Sequence, residues 1–298
     1  LKDIDGLLEQ LGKTPRDYFY QFVNAIVERE AQDKWLTKSG DIQEPLLSED
    51  EHYELLCMIA QEMWLSSTDA LKPEVLDVIS DLFSEANAKE PSVARQVKER
   101  LKQHSLITSA ETVRGAFSFD HEDFRKFFLG EAMGRLLVKS ARQEIQAVLG
   151  VGSFPLEATD HAIQYFRRHK GVPADAIKLI QEISAAELPT SFVRENAGAL
   201  TIWLLDGETR PTSIEQMNFP AEAFSGKNVF GVSFERCYFQ PTRLTQNCLK
   251  QCAFLDCQFE RFEIAASIDV GGAKLKRCEI GSLLLLTKDE QIFDPNAI

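Results

Sequence analysis

Hydrophobic residues recur at every fifth position over the last third of the chain. Eleven positions from residue 214 to residue 264 are all Phe, Leu, Ile or Val: Ile214, Phe219, Phe224, Val229, Phe234, Phe239, Leu244, Leu249, Phe254, Phe259 and Ile264. The chain is 44% hydrophobic overall, so chance would give such a series on the order of once in ten thousand frames. After one extra residue the series continues at Val270, Leu275, Ile280 and Leu285. The period therefore indicates a structural repeat.

A period of five fits neither a helix face nor an alternating strand. It predicts a square coil with one apolar residue at the middle of each side and about 4.8 Å between stacked turns. The residue two positions earlier should also point inward and be small, as at Cys237, Thr242, Cys252, Cys257, Ala273 and Cys278. Larger residues stand there at Met217, Glu222, Lys227 and Phe262. We therefore expect distortion in the first turn and around Phe262.

About residues 212–287 resemble the pentapeptide-repeat family on this period and on the small second inward residue, and the predicted domain spans residues 212–298. The resemblance implies a right-handed quadrilateral β-helix. Its structural core would comprise Phe219, Phe224, Phe234, Phe239, Leu244, Leu249, Phe254 and Phe259, together with Cys237, Cys257 and Cys278.

Five of the six cysteines fall within this repeat. Cys237 and Cys257 are 20 residues apart, and Cys278 follows after 21 more, so the three should form one inward-facing column. The alternative is a zinc site from Cys248, Cys252 and Cys257, but these lack the paired CxxC spacing and have no histidine nearby. Core packing is the favoured interpretation and no metal is predicted.

Helical periodicity dominates the first 211 residues. Residues 1–47 hold a helix that begins at Thr14 and Pro15. Residues 48–140 start with the capping box that Ser48 begins and contain three helices, followed by two short strands at 106–108 and 116–119. Residues 141–211 should form four short helices bridging to the coil, the last of them starting at Pro189.

Three helices and a β-hairpin are typical of a winged helix. The third helix carries Arg95, Lys98, Arg100 and Lys102, so the module is also a candidate for duplex DNA binding. This strip is modest and its surroundings are acidic, which makes DNA binding the less favoured interpretation.

An aromatic motif follows the hairpin. It comprises Phe117, Phe119, His121, Phe124, Phe127 and Phe128. This pattern resembles the end of the winged-helix module in NACHT-type signal-transduction NTPases. The resemblance covers about residues 1–140, and Gly130 stands near where the family often has Ala.

The resemblance implies a role for His121, because a winged-helix histidine in that family contacts the β-phosphate of bound ADP. An imidazole N–H can donate to a phosphate oxygen. Alternatively, His121 caps the following helix or packs against Phe124. Both interpretations remain open at the level of sequence.

Charge and motifs narrow the classes of function. The chain carries 33 Lys and Arg against 46 Asp and Glu, a formal net charge of −13. Of this, −11 lies in residues 1–211 and only −2 in residues 212–298. The distribution argues against a generally nucleic-acid-coating protein and against a coil that mimics DNA to inhibit topoisomerases. No GxxxxGK[ST] phosphate loop and no catalytic constellation is visible, so this chain is not expected to be an enzyme.

The sequence thus predicts an α+β protein: a multi-helical part with a winged-helix-like module, then a quadrilateral β-helix. The expected function is the regulatory and sensor region of a bacterial NACHT-like switch in defence or signalling. Its partners would be its own upstream NTPase domain, a trigger ligand or protein on the coil, and further copies on activation. ATP or ADP with Mg²⁺ would bind through that upstream core. A cytoplasmic setting is expected, because no signal peptide or 18-residue apolar run is present. The alternative is a freestanding adaptor that binds protein or DNA through its winged helix.

Overall fold

A computed structural model of the protein describes residues 15–37, 43–111, 113–188, 190–208, 212–221, 223–244, 249–265, 272–286 and 291–292. Within these the chain is a mixture of helices and strands with a C-terminal β-solenoid of about three turns. The chain divides into two compact units, residues 1–132 and 133–298. Five positions with predicted roles lie outside the described residues: Thr14, Pro189, Glu222, Cys248 and Val270.

The first unit is mainly helical. Its elements are α1 (Pro15–Arg29), a π-helical turn (Glu30–Lys34), α2 (Glu49–Leu65), α3 (Pro73–Ala86), α4 (Pro91–Leu101), β1 (Ile107–Ser109), β2 (Phe117–Phe119) and α5 (Glu122–Lys139), whose last residues belong to the second unit. Strands β1 and β2 pair antiparallel, with Ile107 opposite Phe119.

Local sequence signals explain where these helices begin. The Ser48 side chain accepts from the Glu51 backbone N–H, and the Glu51 carboxylate accepts from the Ser48 N–H, which confirms the predicted capping box. Pro73 and Pro91 stand at the first helical position of α3 and α4, where a missing N–H costs nothing.

The second unit begins with four helices after α5. They are α6 (Arg142–Gly150), α7 (Leu156–Arg168), α8 (Pro173–Ala185) and α9 (Phe192–Leu205). Helix α9 starts after Ser191, whose side chain accepts from the Val193 N–H, and not at Pro189 as predicted. Every residue from Asn196 to Leu205 is buried, so α9 lies at the centre of this unit.

The solenoid consists of short strands. They are β3 (Thr212–Glu215), β4 (Asn218–Phe219), β5 (Val229–Phe230), β6 (Val232–Glu235), β7 (Tyr238–Phe239), β8 (Thr242–Leu244), β9 (Leu249–Lys250), β10 (Ala253–Leu255), β11 (Gln258–Phe259), β12 (Phe262–Ala265), β13 (Lys274–Lys276), β14 (Glu279–Ile280), β15 (Leu283–Leu286) and β16 (Gln291–Ile292). They form four stacks, ordered β3-β6-β10-β13, β4-β7-β11-β14, β8-β12-β15-β16 and β5-β9. All pairs within the stacks are parallel except β15 with β16.

The register of the stacks follows the sequence period. Phe234 is opposite Phe254 at a spacing of 20 residues, and Phe254 is opposite Leu275 at a spacing of 21. The extra residue therefore falls in the segment between β12 and β13. Gln216, Arg236, Asp256 and Arg277 repeat at the same spacings and all have φ between 52° and 56°. The chain thus makes a left-handed corner at the same place in each turn.

The predicted distortions are found in one of the two expected places. Among the described residues between Phe219 and Val229, which exclude residue 222, the first turn has no strand, and residues 223–226 form a turn. The prediction at Phe262 is wrong, because β12 pairs in register with both β8 and β15. The Phe262 ring is buried against Phe259, with 5.0 Å between the ring centroids.

Candidate functional site

His121 stands immediately before α5, in the helix-capping position. Its Nδ1 accepts a hydrogen bond from the Asp123 backbone N–H at 3.2 Å, so the ring caps the helix as one of the two sequence interpretations expected. The side chain is nevertheless 66% exposed. With Nδ1 accepting, a neutral ring carries its proton on Nε2, which makes the other nitrogen a donor. Capping and ligand contact are therefore compatible in the same side chain.

The phenylalanines around His121 are structural. Phe119, Phe124, Phe127 and Phe128 are all buried. Phe119 stacks on Phe128 with 5.6 Å between ring centroids, and Phe124 stacks on Phe19 of α1 at the same distance. The aromatic motif thus holds α5 against β2 and α1.

Carboxylates surround the same helix start. Asp120 and Asp123 flank His121, and the Glu122 carboxylate pairs with Lys126 at 3.0 Å. That ion pair holds the pKa of Glu122 below its usual value. Acidic groups in a first turn suit the helix dipole. A phosphate at this point would need further positive charge from outside these residues.

The basic strip on α4 is largely engaged within the unit. Lys98 pairs with Asp81 at 2.5 Å and Lys102 pairs with Asp77 at 2.8 Å, both on α3. The Arg100 guanidinium donates to the backbone carbonyls of residues 34 and 36 at 2.6 and 2.9 Å. Three of the four charges offered for DNA phosphates are thus already engaged by acceptors of the protein.

A buried polar cluster that the sequence did not predict lies at the π-helical turn. The Glu30 carboxylate is fully buried and accepts hydrogen bonds from Ser105 Oγ at 2.5 Å, Lys34 Nζ at 2.7 Å and Trp35 Nε1 at 3.0 Å. Burial raises the pKa of Glu30, but the bonds from Lys34 and Ser105 outweigh it and keep the pKa below its usual value. The i, i+4 pair of Glu30 and Lys34 was visible in the sequence, whereas Ser105, 75 residues from Glu30, was not.

Two histidines complete what we call the Glu30 cluster: Glu30, Lys34, Trp35, His52, His104 and Ser105. The His52 ring packs edge-on against Trp35 with 4.7 Å between centroids, and lies 5.5 Å from the His104 ring. Within the described residues, neither ring nitrogen of His52 has a hydrogen-bond partner, and Nε2 of His104 has none either. Burial lowers the pKa of His52 to about 4 and that of His104 to about 3, so both rings are neutral at pH 7.

The Glu30 cluster does not have the properties of a nucleophilic site. Lys34 Nζ lies 2.6 Å from Ser105 Oγ, a distance that would suit a serine–lysine pair. Lys34 Nζ, however, also forms an ion pair with the buried Glu30 carboxylate at 2.7 Å, and Ser105 Oγ donates to the same carboxylate, so both groups are engaged by Glu30. The cluster instead ties the end of α1 to the residues that lead into β1.

In the solenoid, Cys237, Cys257 and Cys278 occupy equivalent positions of successive turns. Their neighbours are in register, with Gln258 opposite both Tyr238 and Glu279. Each thiol points to a backbone carbonyl of the preceding turn, at 3.6 Å for Cys237, 3.3 Å for Cys257 and 3.4 Å for Cys278. Cys237 and Cys257 are buried and Cys278 is half-buried.

The repeat-core phenylalanines form stacked columns. Phe219, Phe224, Phe234, Phe239, Phe254 and Phe259 are buried, as is Leu249, whereas the side chain of Leu244 lies outside the described set. Phe239 stacks between Phe219 and Phe259, with ring centroids 4.7 and 4.6 Å apart.

The cysteines offered for a zinc site are placed differently from that column. Cys252 donates to the Val229 carbonyl at 3.6 Å and Cys257 to the Phe234 carbonyl, so the two thiols stand at different corners of the coil. Over the ranges that the structure describes, no group of three or more His, Cys, Asp or Glu is arranged to hold a metal ion.

Helix α9 covers the first turn of the solenoid. A Cβ at Gly198 would lie 1.9 Å from the Asn218 carbonyl oxygen, so only glycine permits this close approach. The Thr201 hydroxyl meets Met217 Sδ at 3.7 Å, and Lys227 Nζ lies 3.0 Å from the centre of the Trp203 ring. Met217 and Lys227 depart from the small-residue pattern because they face this helix instead of another coil.

Comparisons with known proteins do not name a family. A scan against models of protein families finds no match, and no curated protein has a significantly similar sequence. No helix in the described part of the chain is long and apolar enough to cross a membrane.

Proposed function

We propose that this chain is the regulatory and sensor region of a NACHT-like NTPase switch. Residues 48–140 would form its winged-helix module and present His121 to the phosphate of ADP bound in an upstream core. The solenoid would be a right-handed quadrilateral pentapeptide coil that offers a surface for a trigger ligand or for assembly. The observation that carries the proposal is the exposed His121 at the start of a helix whose other motif residues are buried.

The order of elements supports the winged-helix interpretation. Helices α2, α3 and α4 are followed by an antiparallel two-stranded sheet and then by the aromatic helix α5. Only Asp120 separates strand β2 from His121. Any displacement of the hairpin would therefore move the histidine with it.

The Glu30 cluster gives that hairpin a mechanical link to α1. Ser105 lies two residues before β1 and donates to Glu30 at the end of α1. In the resemblance, α1 corresponds to the helical segment that follows the NTPase core. A buried charge-assisted bond at this joint would couple the core to the hairpin, because breaking it takes one of three hydrogen-bond donors from a fully buried carboxylate.

For the coil, the four stacks of strands support a quadrilateral cross-section, since each stack would be one side. For the alternative adaptor, the engagement of Lys98, Arg100 and Lys102 within the unit counts against binding of duplex DNA.

The residues at His121 fit ADP only in part. His121 can donate one hydrogen bond to a phosphate oxygen, but Asp120, Glu122 and Asp123 repel the phosphate charge. Mg²⁺ and the basic residues of an upstream core would supply the remaining positive charge. The gene upstream of Leu1 should therefore encode a GxxxxGK[ST] phosphate loop in the same reading frame, and its absence would overturn the proposal.

Substitutions at His121 in the full-length protein separate phosphate contact from capping. His121→Asp keeps a good helix cap but removes the N–H donor and adds a negative charge. His121→Asn keeps both a cap acceptor and a donor, and His121→Leu keeps neither. We expect ADP retained through purification to fall with His121→Asp and His121→Leu and to persist with His121→Asn, measured by chromatography of the released nucleotide.

A purely structural role gives a different outcome. If His121 only caps α5, His121→Asp retains as much ADP as the wild type, and only His121→Leu lowers the thermal midpoint. Unchanged nucleotide content in all three variants would also contradict the proposed contact.

A further inference from the structure

Three thiols of the solenoid lie in one column, and they differ in their access to solvent. Cys237 and Cys257 are about 1% exposed, whereas Cys278 in the last described turn is half-buried. The Gln258 N–H bonds to the Cys237 carbonyl and the Glu279 N–H to the Cys257 carbonyl, both at 2.9 Å. The three cysteines are thus in register across adjacent strand positions.

This register brings neighbouring thiols within bonding range. Adjacent strands lie about 4.7–4.9 Å apart, and disulfides join cysteines whose Cα atoms are about 4.4–6.8 Å apart. Cys257 is therefore flanked by one thiol in the preceding turn and one in the following turn.

The pKa values of the three thiols are not all shifted in the same direction. The neighbouring Cys237 thiol lowers the pKa of Cys257, while burial raises that of Cys237. Burial raises the pKa of Cys278 as well. Of the three thiols, Cys278 is the one that solvent reaches.

We propose that Cys257 and Cys278 form a peroxide-reactive pair that closes into a disulfide between neighbouring turns of the solenoid. Hydrogen peroxide oxidises the accessible Cys278 thiol to a sulfenic acid and releases one water. The Cys257 thiolate then attacks the Cys278 sulfur, forms the S–S bond and expels hydroxide, which takes up the proton that Cys257 has lost and leaves as a second water. Two thiols supply the two electrons that reduce one peroxide.

Cys252 provides a matched control within the same coil. It is buried and bonds to a carbonyl of the preceding turn as the column cysteines do. Ala253 pairs with Ser233 and with Lys274, so Cys252, one residue earlier, lies opposite Val232 and Ala273. Cys252 therefore has the same packing without a thiol in the adjacent described turns.

The test is peroxide treatment of the reduced full chain, followed by peptide mapping without reduction. We expect a cross-linked pair of peptides containing Cys257 and Cys278, with two free thiols lost for each chain oxidised. Cys257→Ala and Cys278→Ala should abolish the cross-link, and Cys252→Ala should leave its yield unchanged. No cross-link in a chain whose thiols are consumed, or a cross-link from Cys237 to Cys257 in its place, would overturn the proposal.

A second measurement covers the case in which a variant packs poorly. Dimedone captures sulfenic acids, so labelling at Cys278 should be brief in the wild type and persist in Cys257→Ala, where no resolving thiol remains. Cys278→Ala lies at the half-buried end of the column and is the variant with the least effect on packing. Equal dimedone labelling of Cys278 in wild type and Cys257→Ala would show that Cys257 does not resolve it.

Discussion

The core of the first unit, residues 1–132, and the core of the solenoid are packed in different ways. In the solenoid, buried rings recur one turn apart: Phe239 stacks on Phe219 and on Phe259. In the first unit the Glu30 cluster joins residues from three separate segments, around residues 30–35, 52 and 104–105.

The difference shows which kind of packing leaves a trace in a sequence. In a repeated coil every fifth residue fills an equivalent buried position, so the sequence period identifies the residues of the core. A buried polar cluster is specified by contacts between distant residues, and each member has an ordinary local context. We therefore expect the solenoid to respond to lost ring volume, and the first unit to respond to charge.

The largest expected effect is at the centre of the ring columns. Phe239→Ala removes a fully buried ring that contacts rings in the turns before and after it. Loss of transfer energy and the remaining cavity should destabilise the solenoid by about 3–5 kcal/mol. Native-state hydrogen exchange of the amides in β7, β10 and β11 would report the loss.

Phe230→Ala is the matched control, because Phe230 belongs to the same coil but is 36% exposed. It should change the exchange of the same amides by less than about 1 kcal/mol. Equal effects of the two substitutions would mean that the columns are not what holds the turns together. Amides of α2 and α3 should be unaffected in both variants.

A fall in pH should destabilise the first unit and not the solenoid, because residues 212–298 contain no histidine. His52 and His104 are neutral in the fold with pKa values of about 4 and about 3, against about 6.5 when unfolded. Below pH 6.5 the unfolded chain binds more protons than the folded one, so stability falls as the pH falls towards these folded values. Each histidine costs about 1.4 kcal/mol per pH unit, or roughly 2–3 kcal/mol for both between pH 7 and 5.5.

Chemical denaturation at several pH values, followed by hydrogen exchange in α2 and β1, measures this slope. The charged groups around the two rings are Glu30, Glu51 and Lys34. The two carboxylates favour the protonated form of the rings and so act against the effect of burial on the histidine pKa. His52→Phe keeps an aromatic ring against Trp35 and should remove about half of the slope. An unchanged slope in this variant would assign the acid sensitivity to other groups.

The sequence was most informative where a signal was local or periodic. The five-residue period, the 20- and 21-residue spacings of Cys237, Cys257 and Cys278, and the capping box that Ser48 begins all correspond to described structure. Helix α9 begins three residues later than the predicted start at Pro189, because Ser191 provides its N-cap. Phe262 was expected to distort the coil, although its ring packs against Phe259 within a regular strand.

The candidate site could be predicted only in part from such local or periodic signals. The motif identified His121, and both of its sequence interpretations depend on the helix start that the structure shows. The link from Glu30 to Ser105 was not accessible, since it depends on the fold bringing together residues 75 positions apart. The same holds for Lys227, whose departure from the repeat pattern is explained only by the Trp203 ring of α9.

The smallest expected effect tests a local signal inside the first unit. Ser48→Ala removes the side chain that accepts from the Glu51 N–H at 3.3 Å, while the Ser48 N–H keeps its bond to the Glu51 carboxylate at 2.8 Å. One orphan donor of α2 is then left to water, which should cost about 1 kcal/mol of stability in urea denaturation. Ser66→Ala, at the other end of α2 with an exposed hydroxyl on Glu62, should stay within about 0.5 kcal/mol of the wild type. Ser48→Asp should restore the loss, because aspartate also accepts at a helix start. If Ser48→Ala cost no more than Ser66→Ala, the start of α2 would be fixed by packing, and its correct prediction from sequence would have had the wrong physical cause.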